Sequence, residues 1–168
     1  MNLSVHKKKN AKGLEKVLKH FQSLDDLEIL TGYFEEQGNH QGAASEGNDI
    51  SYVDLMEMQH FGTDKIPSRP LLSISAGELK RGYDKDLFRF CKDACGQVGR
   101  LPSNSKKIGR EMRDYSKAIF GDVGAMDSNA PLTQALKGGR DEPLVDTGEL
   151  RDNLAYKTSL DDTPRTGG

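Results

Sequence analysis

The chain has no tryptophan, and aromatic residues make up only 7% of its 168 positions. A core built from it must rely on aliphatic side chains, with few large aromatic anchors. There are two cysteines, Cys91 and Cys95, four residues apart in a helical pattern. No histidine lies near them in sequence, and a metal site would need two further ligands from elsewhere, so they read as reduced cysteines on one buried helix face. No apolar run approaches the roughly 18 residues of a membrane span, and no signal-peptide core follows the start. The formal net charge is only −2, which removes any global pull toward nucleic acid or an anionic membrane. The expectation is a soluble protein assembled in the cytoplasm.

Catalytic signatures are missing as well. There is no glycine-rich phosphate loop ending in Lys-Ser/Thr, no His-Glu-X-X-His and no Gly-X-Ser-X-Gly. The histidines His6, His20, His40 and His60 are scattered. The acidic pairs Asp25-Asp26 and Asp161-Asp162 fall in a turn and a tail, where solvation accounts for them. The reading is of a protein that is not an enzyme and takes no cofactor or metal.

What is present is charge, at 30% of residues, and glycine, at 18 positions, against a hydrophobic content of 35%. Such a chain makes one domain with a thin core and long loops. Residues 1–10, with Lys7, Lys8 and Lys9 in a row, read as a flexible basic arm. Residues 11–158 form the domain, and 159–168 a flexible tail without core residues.

Leu14, Val17, Leu18 and Phe21 recur at helical spacing and predict an amphipathic helix over 11–23. Residues 27–35 are β-branched and aromatic and predict a strand. The polar stretch 37–49 is a loop, the arm or tip of a long hairpin. Ser51 followed by Asp54 opens a short helix over 51–60 that Gly62 ends. Residues 71–74 read as a strand. Ser75-Ala76-Gly77-Glu78 reads as a capping box for a helix over 76–95, with Leu79, Tyr83, Leu87, Phe90 and Ala94 inside. A further helix over 105–120 buries Ile108, Met112, Tyr115 and Ile119, and Pro131 opens a helical turn through Lys137. A last strand covers 153–158. The fold class is α+β, a small mainly antiparallel sheet packed by two to three helices.

Two stretches stand out. In the first, His60-Phe61-Gly62-Thr63-Asp64-Lys65-Ile66-Pro67-Ser68-Arg69-Pro70-Leu71, a glycine stop is followed by prolines that stiffen the chain on either side of Arg69. A planar guanidinium on a stiff segment suits a bidentate carboxylate partner, and Asp146 or Glu149 is the nearest candidate by motif. The second stretch is Pro143-Leu144-Val145-Asp146-Thr147-Gly148-Glu149-Leu150-Arg151, a turn that caps a short helix.

In order and spacing these stretches resemble the bacteriophage tail-completion, or virion-morphogenesis, family of the head–tail joint. The resemblance rests on Phe61, Gly62, Thr63, Pro67, Arg69, Pro70 and Leu71, then Pro143 to Gly148, Leu150 and Arg151, and spans most of residues 10–158. The family often has glutamate where this chain has His60 and phenylalanine where it has Leu71. The resemblance implies a structural virion protein of the neck, forming a homo-oligomeric ring, six-fold by expectation, between the head connector and the tail tube or terminator. Genomic DNA would pass through the lumen without sequence-specific binding. Closing a ring takes two complementary patches per subunit. The resemblance makes Phe61, Gly62, Thr63, Pro67, Arg69, Pro70, Asp146, Thr147, Gly148, Glu149 and Arg151 candidates for them.

The rival reading is a small nucleic-acid-binding module. Lys106, Arg110, Arg113 and Lys117 recur on one face of the 105–120 helix, opposite its apolar face, and such a stripe can track phosphates. A tail-terminator or stopper ring protein is the other alternative.

Overall fold

In a computed structural model the chain folds as α+β, with a small antiparallel sheet among helices. The structure describes residues 4–40, 50–82, 92 and 100–167, residues 4–12 as backbone alone. Helix α1 spans Ser4–Asp25, strand β1 Ile29–Gly32, α2 Tyr52–Phe61, α3 Leu71–Gly82 and α4 Leu101–Ile119. The short helices α5, Pro131–Leu136, and α6, Glu149–Asp152, precede the hairpin of β2, Ala155–Thr158, and β3, Asp161–Arg165.

The sheet order is β1-β2-β3, all antiparallel. Ile29 faces Thr158 and Gly32 faces Ala155. The central strand β2 is buried along its whole length, because α4 covers the sheet on one side. Tyr52, Met56, Leu71, Ile119, Phe120, Met126, Leu150 and Leu154 form the main core, which is largely aliphatic as the composition requires.

Local chemistry explains several boundaries. Ser51 caps α2, its Oγ accepting from the Asp54 amide at 3.0 Å. Pro102 sits in the first turn of α4, where a missing amide costs nothing. Gly109 lies where α4 meets β2, so close to the Tyr156 ring that a Cβ there would be 2.3 Å from Cδ2.

Three expectations are overturned. Residues 71–74 are the start of α3, not a strand. Pro70 fixes a φ suited to a first helical turn, its carbonyl accepts from the Ile74 amide at 2.9 Å, and Leu71 and Ser75 are buried one helical turn apart. Ser75 is therefore inside a helix and caps nothing. The helix expected over 76–95 is seen to Gly82; Tyr83, Leu87, Phe90, Cys91, Ala94 and Cys95 lie outside the described residues, as do 41–49 of the 37–49 loop. The base of that loop is pinned by a bridge between Asn39 and Ser51. Second, the 1–10 arm is helical from Ser4 onward, continuous with the amphipathic segment behind it.

Third, the 159–168 tail is not loose. Residues 161–165 are the third strand, and the basic face of α4 binds it. Lys106 Nζ and Arg165 Nη2 each lie 2.6 Å from Asp161 Oδ2. Arg113 Nη1 donates to the Arg165 carbonyl at 3.4 Å, and Lys117 Nζ donates to that of Thr166 at 3.0 Å.

Lys106 and then Arg165 hold the Asp161 carboxyl well below the usual carboxylate range. A carboxyl with a lowered folded value stabilises above its unfolded value of 3.8 and loses that contribution only as pH falls through the folded one. Amide protection of residues 161–166 should therefore hold through mild acid and fail only below about pH 4. Asp161→Asn should lower that protection at neutral pH. Equal exchange in the two proteins would remove this carboxylate as the strand's anchor.

Candidate functional site

Gly62 ends α2 at φ 75° and ψ 177°, a conformation essentially confined to glycine. A Cβ there would lie 2.8 Å from both the Ile66 oxygen and the Ser68 nitrogen. The chain then makes a tight loop. The Thr63 amide donates to the Ile66 carbonyl at 2.8 Å, and Thr63 Oγ1 accepts from the Ile66 amide at 3.1 Å. Ser68 Oγ donates to the His60 carbonyl and the Arg69 amide to the Gln59 carbonyl, each at 2.7 Å. The loop is thus strapped back onto the last turn of α2, which sends the Arg69 side chain inward.

Arg69 is only 7% exposed. Its Nε donates to the Asp127 carbonyl at 3.3 Å, and its Nη2 to the Ser128 carbonyl at 3.4 Å and to Asn129 Oδ1 at 3.2 Å. Burial pulls its pKa down, opposed by the charges of Asp127 and Asp141. The partner found here differs from the expected carboxylate of Asp146 or Glu149. The loop over 127–129 turns its oxygens toward α2, and the guanidinium fork satisfies them.

The second stretch forms the facing wall. Pro143 is buried, and the Val145 amide closes a turn onto the Glu142 carbonyl at 3.3 Å. Leu144 holds φ 61° in this turn, the one non-glycine residue with positive φ among those described. Lys137 Nζ braces the turn from α5, donating to the Val145 carbonyl at 2.5 Å. Gly148, at φ 88°, then turns the chain into α6. Glu149 points back to α2, where Tyr52 Oη donates to its Oε1 at 2.5 Å and His40 Nε2 lies 3.6 Å from its Oε2. Burial, and then Glu149, push the Tyr52 hydroxyl up to about 12. Tyr33 stacks on Tyr52 with centroids 6.1 Å apart and donates to the Leu150 carbonyl at 2.5 Å. Burial, then Tyr52, raises the Tyr33 pKa further.

Between the walls is a cleft of about 450 Å³. It brings Arg69 together with Asp146, Thr147, Gly148 and Glu149. Leu55, Leu144 and Leu150 form its apolar floor, and Leu136, 81% exposed, stands at its mouth. Phe61, Gly62, Thr63, Pro67, Pro70 and Arg151 do not line it. Phe61 borders a separate groove, Gly62 and Thr63 shape the loop, and Arg151 pairs with Asp152 at 3.2 Å. The sequence reading missed His40, Asn129 and Lys137 as lining residues. Only Lys137, at the end of the helix that Pro131 opens, had a local signal.

The stripe on α4 is mostly occupied within the subunit. Arg113 is buried, its guanidinium 5.6 Å from the Tyr156 ring centroid and 2.6 Å from Asp114 Oδ1. Lys106 and Lys117 bind the C-terminal strand as described, and Arg110 is exposed. Among the described residues no group of three or more His, Cys, Asp or Glu is placed to hold a metal ion, and no helix is long and apolar enough to cross a membrane. Comparison of the chain with protein-family models, with curated proteins and with solved structures finds no match.

Proposed function

We propose that the chain is a ring-forming structural protein of the phage head–tail joint, not an enzyme, and that its cleft receives a segment of the neighbouring subunit. One observation carries the reading: Arg69 of the first stretch that bears the family resemblance and Leu144 and Asp146 to Leu150 of the second, far apart in sequence, line a single cleft. The cleft has the composition of a subunit contact, with an apolar floor, a few fixed polar groups and an exposed leucine at its mouth, Leu136 of α5. Leu144 adds a strained backbone at the same wall, and such strain gathers where a surface is shaped for contact. In this role the ring, a hexamer by resemblance, joins the head connector to the tail tube or terminator and passes DNA through its lumen, in the virion neck.

Native mass and electron microscopy of the full chain test the reading. The expected result is a closed ring whose formation depends on concentration and not on DNA. A monomer at all concentrations that binds DNA in a salt-dependent manner would overturn it and favour the nucleic-acid module. Leu136→Asp should weaken ring formation at least tenfold while leaving stability within about 0.5 kcal/mol, because the side chain is already in solvent.

A further inference from the structure

Helix α1 is amphipathic, yet it is mounted the wrong way round for a subunit that stands alone. Its body-facing side carries Lys16, Lys19, His20 and Ser23, which line a small cavity with Leu101, Pro102 and Leu160. His20 is buried there. Successive residues turn by about 100° along a helix, so the stripe of Leu14, Val17, Leu18 and Phe21 lies on the other side. Those residues are 61%, 38%, 55% and 48% exposed. Four apolar side chains at this spacing are the pattern of a helix that docks into a groove.

A second unfilled apolar surface lies elsewhere on the same chain. A groove of about 270 Å³ is bordered by Tyr33, Val53, Met56, Phe61 and Leu72, and Phe61 at its edge is 73% exposed. Its polar lining is Glu57 and His60, and the carboxylate of Asp54, one turn earlier on α2 than Glu57, is exposed nearby in sequence. The helix is basic, with Lys7, Lys8, Lys9, Lys12, Lys16 and Lys19 against Glu15 and Asp25. Lys16 and Lys19 face the body, so the charge acts through the helix as a whole: two such helices repel at a distance, whereas helix and the Glu57 side of the groove attract. His20 lines a cavity together with Leu101 and Pro102 at the start of α4, and Tyr33 stands beyond the far end of β1, so reaching its own groove would require α1 to leave that cavity.

We infer that the apolar stripe of α1 docks into the groove between α2 and α3 of a second copy of this chain, a head-to-tail contact separate from the cleft. The contact stands on the helix and the groove alone and does not depend on the neck reading. A helix in a groove buries on the order of 1,000 Å² in total, at the low end for a specific interface. A single contact is then weak, and it gains strength only when several copies engage together.

The test is sedimentation of the full chain over a wide concentration range, with Leu18→Glu and Phe61→Glu. Both side chains are exposed, so neither change threatens the fold. Each variant should raise the concentration at half-association at least tenfold. An equimolar mixture of the two should form a heterodimer, because one partner keeps the helix and the other the groove. A wild-type chain that stays monomeric, or a Phe61→Glu variant that associates normally, overturns the inference. The second outcome would point to pairing between α1 helices. If flotation with phosphatidylglycerol vesicles depends on Leu18 while Phe61→Glu leaves self-association unchanged, the stripe belongs to a membrane surface and the inference also fails. Open strings of subunits that both variants dissolve would keep this contact and refute the closed ring.

Discussion

Gly109→Ala should destabilise the protein by about 2 kcal/mol, against the usual gain from alanine in a helix. Removing a helical glycine is worth about 1 kcal/mol on propensity alone. Here the new methyl group would sit 2.3 Å from Tyr156 Cδ2 and 2.9 Å from Cγ and Cε2. The ring has nowhere to go. Tyr156 is buried in the central strand, with β1 on one side and β3 on the other, and the Arg113 guanidinium lies against its face. Overpacking of this kind costs about 3 kcal/mol, so the steric term wins. For a chain of this size the melting temperature should fall by about 6 °C. Urea unfolding of Gly109→Ala, Tyr156→Leu and the double variant gives the check. The double variant should recover part of the loss, because leucine leaves room for the methyl group. Additive losses would mean that α4 and β2 do not meet at this point.

Arg69→Ala should cost about 3 kcal/mol and should loosen the loop over 127–129 before the rest of the fold. The substitution leaves two backbone carbonyls and the Asn129 amide oxygen without their donor, and each buried orphan costs about 1–3 kcal/mol. Arg69→Lys should recover little, since an ammonium cannot span three acceptors arranged around a planar fork. Lys65→Ala, on the exposed side of the same loop, should change almost nothing. Hydrogen exchange reports the loop and urea unfolding the whole. On the proposed ring reading, assembly should fall in parallel, because Asn129 and Arg69 line the cleft. A fully stable Arg69→Ala protein that still failed to assemble would return Arg69 to the role of a direct intersubunit contact.

Much of the fold was legible because local chemistry and tertiary packing agree there. Ser51 and Gly62 bracket α2, Pro131 opens α5, and the Leu27–Phe34 stretch contains β1. The failures came where a contact distant in sequence decided the outcome. Lys106, Arg113 and Lys117 read as a solvated or phosphate-tracking face, and residues 161–165 as a tail, since neither the stripe nor that segment carries a large apolar side chain. These two misreadings were one contact seen from its two ends. Leu71 and Leu72 read as a strand because a short apolar run after proline fits either structure, and burial on one helical turn decides for α3. The candidate site was half legible. The turn at 146–149 was found as a motif, and Arg69 was found as a stiffly held cation. Its oxygen partners at 127–129 were not, because backbone carbonyls leave no signature in a sequence.

The sheet has a consequence for how the subunit is made. Strand β1, at residues 29–32, has no neighbour until residues 155–158 exist, and these are held in turn by 161–165. Contacts spanning so much chain form late and slowly. A nascent chain can wind its helices as they emerge, but the sheet closes only after residues 155–165 have left the ribosome. A chain cut short before β2 would present β1 as an unpaired edge and leave α4 without the sheet that it covers. Emergence of residues 155–165 and closure of the sheet therefore coincide, and a copy that lacks them is left with β1 unpaired by topology alone.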